Sequence, residues 1–223
     1  MLCSSQMKLQ AELLIKRMKA DPKINIDEDW KMVTLLTGGN DICRACANVS
    51  LYPASMFRAN IEAALDVLQE GSPRTIVNLL EVFDISNLMK VMPLQPSCQE
   101  AMKIKLCPCP PGSDGSELSA LSKEYQRALV NLINTGKYNR KPDFTVVIQP
   151  FLGNVPTTET GEPDMSFFTP DCFHLSTKGH SAAGVSLWNT MLRRKSKKHR
   201  AFNHPEQPMC PTTRYIPTQV NYS

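Results

Sequence analysis

The sequence predicts an α/β domain with a parallel sheet covered by helices. Short apolar runs at 32–36, 75–82 and 144–148 have the length and composition of strands buried on both faces. Between and around them, 5–20, 55–70, 116–134 and 176–192 carry the apolar spacing of amphipathic helices. Strands that alternate with helices in this way form parallel sheets with crossover helices. The 223 residues suffice for one substantial core, and 42% hydrophobic with 21% charged residues is ordinary for a globular chain.

In the first helix Met7, Leu14 and Met18 share a face with Leu13 beside them, while Lys8, Glu12, Lys16 and Arg17 point outward. Ser4 or Ser5 is the expected N-cap, and Asp21-Pro22 ends the helix. Strand 32–36 exits into Thr37-Gly38-Gly39-Asn40-Asp41. In helix 55–70, Phe57, Ile61, Ala64, Leu65 and Leu68 form the apolar face, with Ser55 as cap and Gly71 as terminator. Ser72-Pro73 leads into strand 75–82, and 84–92 reads as a short helix or loop. The irregular stretch 93–115 is proline-rich and holds Cys98, Cys107 and Cys109. Two readings stay open for it: a disulfide-pinned excursion beside the substrate cleft, or a surface insertion without a role. Helix 116–134 is the clearest element, with Leu118, Leu121, Tyr125, Leu129, Leu132 and Ile133 on one side and Gly136 after it. Strand 144–148 is followed by a long loop, 151–170, and by the last helix, where Ala183, Leu187 and Met191 share a face beside Trp188. His180, within this helix, reads as a structural histidine in preference to a second base.

Residues 1–192 are therefore expected to form the domain, and 193–223 a disordered tail, first basic and then rich in Pro, Thr and Asn. The net charge of +4 owes much to Arg193, Arg194, Lys195, Lys197, Lys198 and Arg200. This run is most simply solvated; anionic lipid binding or a nuclear signal are the alternatives, and no nucleic-acid partner is expected. Eight cysteines are many for a cytosolic domain of this size. Cys43-x-x-Cys46 and Cys107-x-Cys109 admit zinc ligation, but disulfides in an oxidising compartment are the favoured reading, and the glycosylation sequon Asn48-Val49-Ser50 agrees with that compartment. Against it, Met1 to Gln10 shows no signal-peptide pattern, and no stretch approaches the roughly 20 apolar residues of a membrane span.

Two stretches carry chemistry. Asp171-Cys172-Phe173-His174 places a carboxylate three residues before an imidazole in a tight turn, a spacing that lets the carboxylate fix the ring tautomer and stabilise an imidazolium. Gly38-Gly39-Asn40-Asp41 at a strand end is either a plain turn or a loop that aims a side-chain amide at an oxyanion.

Together and in this order, the two stretches resemble the third and fifth sequence blocks of the SGNH (GDSL) hydrolases. With Asp29-Trp30-Lys31, Gly38-Gly39-Asn40-Asp41-Ile42-Cys43, Val146-Val147-Ile148-Gln149-Pro150-Phe151, Gly179-His180 and Leu187-Trp188-Asn189, residues 6–192 look like a catalytic repeat of the membrane-associated phospholipase B type. The resemblance implies a three-layer sandwich around a parallel sheet, here without its first strands, and a carboxylic ester hydrolase acting on phospholipid or lysophospholipid by Ser-His-Asp acyl transfer. It assigns His174 as base, Asp171 as its orienting carboxylate and Asn40 as oxyanion donor. It implies no metal or other cofactor, contact with a membrane surface, and a cell-surface or extracellular location. The chain departs from the family pattern at the nucleophile: no Gly-Asp-Ser precedes Gly38, the first glycine, and neither Ser4 nor Ser5 has a strand before it. The expectation is a truncated product whose strand 32–36 has an open edge, and the alternative is an inactive remnant that binds lipid or a protein partner.

Overall fold

A computed structural model of the chain describes residues 3–86, 96, 98, 116–154, 156–198, 200, 206–212 and 214–218. Three strands, β1 (Lys31–Leu35), β2 (Thr75–Leu80) and β3 (Phe144–Gln149), form a parallel sheet in the order β1-β2-β3. Val33 pairs with Val77, and Val77 with Val146. The helices are α1 (Met7–Ala20), α2 (Gly39–Ala45), α3 (Ala54–Gly71), α4 (Ser116–Asn134) and α5 (Thr177–Met191).

Side-chain alternation along β2 explains the layering. Val77 and Leu79 join the larger core with the buried faces of α1, α3 and α4, where Ile61, Leu65, Leu129 and Leu132 lie. Leu80 faces the other way, into a smaller core with Phe151, Leu152, Phe167, Phe168 and Ala182 of α5. Asn78, on that same side, donates to Met191 Sδ at the end of α5. Helices on both faces of a parallel sheet give the expected α/β sandwich. Burying two faces also explains why the 75–82 and 144–148 runs lack polar alternation.

β1 differs. It pairs only with β2 among the described residues, and its positions alternate between half-buried and exposed. Met32 and Leu36 are each about half exposed, at 48% and 49%. The same open flank accounts for a difference on α1. Its buried stripe is Met7, Ala11, Ile15 and Met18, whereas Leu14 and Leu13, expected in the core, are exposed.

Local caps also differ from expectation. The N-cap of α1 is Gln6, with no side-chain bond, because Ser4 is committed elsewhere. α3 starts after Pro53, so Ser55 lies inside its first turn. The exit from β1 is a short helix, α2, entered through Gly38 at φ +115°. That left-handed value suits glycine alone, and a Cβ there would come within 3.0 Å of the Phe57 ring. Of stretch 93–115, only Pro96 and Cys98 lie within the described residues.

Candidate active site

The turn that carries Asp171 and His174 is built by backbone bonds. Phe168 and Leu175 form an antiparallel bridge, Thr169 N donates to His174 O at 2.8 Å, and Cys172 N donates to Thr169 O at 2.8 Å. Inside this frame Asp171 Oδ1 accepts from Thr169 Oγ1 at 2.5 Å and from the amides of Phe173 and His174, each at 3.0 Å. Its Oδ2 lies 2.6 Å from His174 Nδ1. Partial burial by itself would raise the Asp171 pKa. The bonds from Thr169, the His174 ring and the two amides outweigh that burial and hold the carboxyl well below the usual carboxylate range. Asp171 thus stays charged, and its lone pairs favour a proton on Nδ1, leaving Nε2 for proton exchange. Immediately after the turn, Ser176 caps α5 by accepting from Gly179 N at 3.1 Å.

His174 is 60% exposed and lines a cleft of about 640 Å³. The cleft runs from the α1–β1 flank, with Leu14 and Val33, past Thr37–Asn40 to an apolar wall of Phe83, Leu152, Phe168 and Phe173. Asn40 lines it from the start of α2, so two segments distant in sequence face one space. Such a cleft, mostly apolar with a few convergent polar groups, suits an apolar substrate with one reacting polar centre. His180 also lines it and is exposed.

No serine is among the described residues that line this cleft. Ser4 is buried away from it. Its N and Oγ donate to Asp41, with Oγ 2.6 Å from Oδ1, and its Oγ accepts from Asn60 Nδ2 at 3.0 Å. The aspartate of Gly38-Gly39-Asn40-Asp41 therefore ties the start of the chain to α2.

Three features escaped the sequence reading. Thr169, two residues before Asp171, supplies the shortest bond to Asp171. Cys172 is disulfide-bonded to Cys98, a pairing that spacing alone could not have given. Cys43 and Cys46 are also disulfide-bonded, which removes the first pair of sulfurs from the zinc reading, and Cys107 and Cys109 lie outside the described residues. Cys3 and Cys210 are free thiols. Third, a buried polar group sits at the ends of β2 and β3. Gln149 donates to Asn78 Oδ1 and accepts from Lys198 Nζ, while Arg200 reaches Glu81 at 2.8 Å and Gln126 at 2.5 Å. Arg193 pairs with Glu206, and Asn189 holds Gln207 O and Met209 N. Parts of the basic run and tail thus contact the domain.

Among the described residues no helix is long and apolar enough to cross a membrane. The model of the GDSL-like lipase/acylhydrolase family matches residues 4–186. The chain is 39% identical over 224 residues to "Phospholipase B1, membrane-associated" of Rattus norvegicus, which covers 95% of this chain and 15% of that protein. It is 40% identical over 213 residues to the protein of that name from Mus musculus, covering 91% and 14% respectively. The Homo sapiens protein is 42% identical over 206 residues, covering 87% of this chain and 14% of that protein. The chain thus spans about one seventh of the length of these curated relatives. No solved structure matches it. With a family match over most of its length and these identities, the chain belongs to the GDSL-like lipase/acylhydrolase (SGNH hydrolase) family, in its phospholipase B-like branch.

Proposed function

We propose that residues 1–192 are part of a phospholipase B-type carboxylic ester hydrolase that acts on phospholipid or lysophospholipid acyl esters, with 193–223 as its tail. The observation that carries this reading is the 2.6 Å contact between Asp171 and His174 on a cleft that Asn40 also lines. In the reaction, a serine from outside these 223 residues attacks the acyl carbonyl. His174 takes its proton at Nε2 and returns it to the leaving alcohol. Asp171 stabilises the imidazolium, and Asn40 donates to the oxyanion. Water then releases the acid by the same base catalysis. The apolar wall at Phe83, Leu152, Phe168 and Phe173 suits an acyl chain. No metal or other cofactor enters this scheme.

A cell-surface or extracellular setting goes with this reading. The disulfide at Cys172 and those at Cys43 and Cys46 suit an oxidising compartment. Asn48 is exposed, and its Oδ1 accepts from Ser50 N and Oγ, so the sequon is accessible for glycosylation.

The test is a protein extended upstream to include a strand ending in Gly-Asp-Ser. Asp171→Ala and His174→Ala should each lower ester hydrolysis by roughly 10³-fold or more, and Asn40→Ala by roughly 10²–10³-fold. Full activity in the first two variants sinks the assignment. A second reading, an inactive form that binds lipid or a partner, draws on the absence of serine from the cleft lining and of a strand beyond β1 among the described residues. It requires that no serine of residues 1–223 react with a fluorophosphonate.

A further inference from the structure

The geometry points to the Cys98–Cys172 disulfide as a positioning device for the Asp171–His174 pair, so that the orientation of the imidazole depends on this cross-link. The inference rests on the reading of His174 as the base.

Cys172 sits between the two residues it would position. Its φ is +60°, left-handed, a conformation disfavoured for a residue with a Cβ. Its side chain is buried at 2% exposure beside Phe167, Phe168 and Leu152, while His174 on the same turn is open to the cleft. The bond joins it to Cys98, itself fully buried and 74 residues away in sequence. The dihedrals at 172 set where the next two amide groups point. Those are the amides of Phe173 and His174, both of which donate to Asp171 Oδ1. A right-handed residue 172 would turn them away from the carboxylate and loosen its grip on Nδ1. On the cleft side the turn presents half-buried Phe173, at the edge of the larger core, and exposed His174, and an inward cross-link at its centre holds the disfavoured conformation. Cys172 is thus a positioning residue that acts through Asp171 and has no role toward substrate.

The test reads the His174 tautomer in residues 1–223 labelled with ¹⁵N-histidine, by long-range ¹H–¹⁵N correlation, with His174→Gln to assign the signal. In the parent chain the neutral ring should carry its proton on Nδ1, facing Asp171. In C98S/C172A the Nδ1–H form should be lost in favour of Nε2–H, with the strand amides of Val77 and Val146 unshifted. In C98S/C172G the Nδ1–H form should persist, because glycine adopts the left-handed conformation unaided. Retention of Nδ1–H in C98S/C172A would overturn the proposal. So would collapse of the strand amides in both double variants, which would make the bond a support of the whole fold. If the parent itself lacks Nδ1–H, the pairing of Asp171 with His174 fails, a result separate from either outcome in the variants.

Discussion

Both oxygens of Asp171 are engaged within its own turn: Oδ1 by a hydroxyl and two amides, Oδ2 by the imidazole. A carboxylate so satisfied resists protonation, and its folded pKa lies below the ordinary value of 3.8. The linkage has a definite sign. A group with a depressed folded pKa contributes stability that is present above its unfolded pKa and lost as pH falls through the folded one. Relative to Asp171→Asn, the parent should therefore keep the contribution of this carboxylate's own titration down to about pH 3.8 and lose it only as pH falls further. Urea denaturation at a series of pH values measures this. A difference that closes already near pH 6 would mean that Asp171 lacks these bonds in solution.

α5 is held by a contact that its sequence only hints at. A Cβ on Gly179 would lie 2.2 Å from Phe167 O, a backbone atom that cannot move alone. The glycine lets the first turn of α5 sit directly on the 3-10 turn Met165–Phe167, where Lys178 also lies over the Phe167 ring at 4.1 Å. The Asp171–His174 turn lies between these two elements. Gly179→Ala should destabilise the fold by about 2–3 kcal/mol, through forced separation of helix and turn. It should also disturb the His174 resonances more than those of the distant α1–α3 interface. A loss under about 0.5 kcal/mol, read from urea midpoints, would contradict the packing.

Across the whole molecule, the ends of β2 and β3 are closed by residues from the basic run. Glu81 is 2% exposed, and burial raises its pKa to about 6 despite the opposing charge of Arg200. Burial together with nearby Arg193 lowers that of Lys198 to about 8. A raised carboxyl pKa has the opposite sign from Asp171. The folded chain holds the proton more tightly, so stability is full below the ordinary carboxyl value of 4.5 and falls as pH rises through about 6. The loss is on the order of 2 kcal/mol. Glu81→Gln should flatten this part of the stability profile, which urea midpoints between pH 4 and 7 will show. An unchanged slope would place the titration elsewhere.

The order of the strands and of the four long helices and the Asp171–His174 pairing were legible in the sequence because each is local. Apolar period sets an element's type, and a three-residue spacing sets which side chains can meet in one turn. Contacts made across the chain were not legible. Leu14 has a core-like position on α1 yet lies exposed, because what covers a helix face depends on whether β1 has a neighbour beyond it. Ser4 looks like a helix cap and instead binds Asp41. The basic residues Lys198 and Arg200 read as solvated, yet they meet Gln149 and Glu81. The sequence alone determined the fold class, the family and the pairing of Asp171 with His174. Only the tertiary structure decided that Asn40 and His174 face one cleft, that Cys98 joins Cys172, and that Glu81 is buried. These depend on which distant segments share space, and a linear pattern does not encode that.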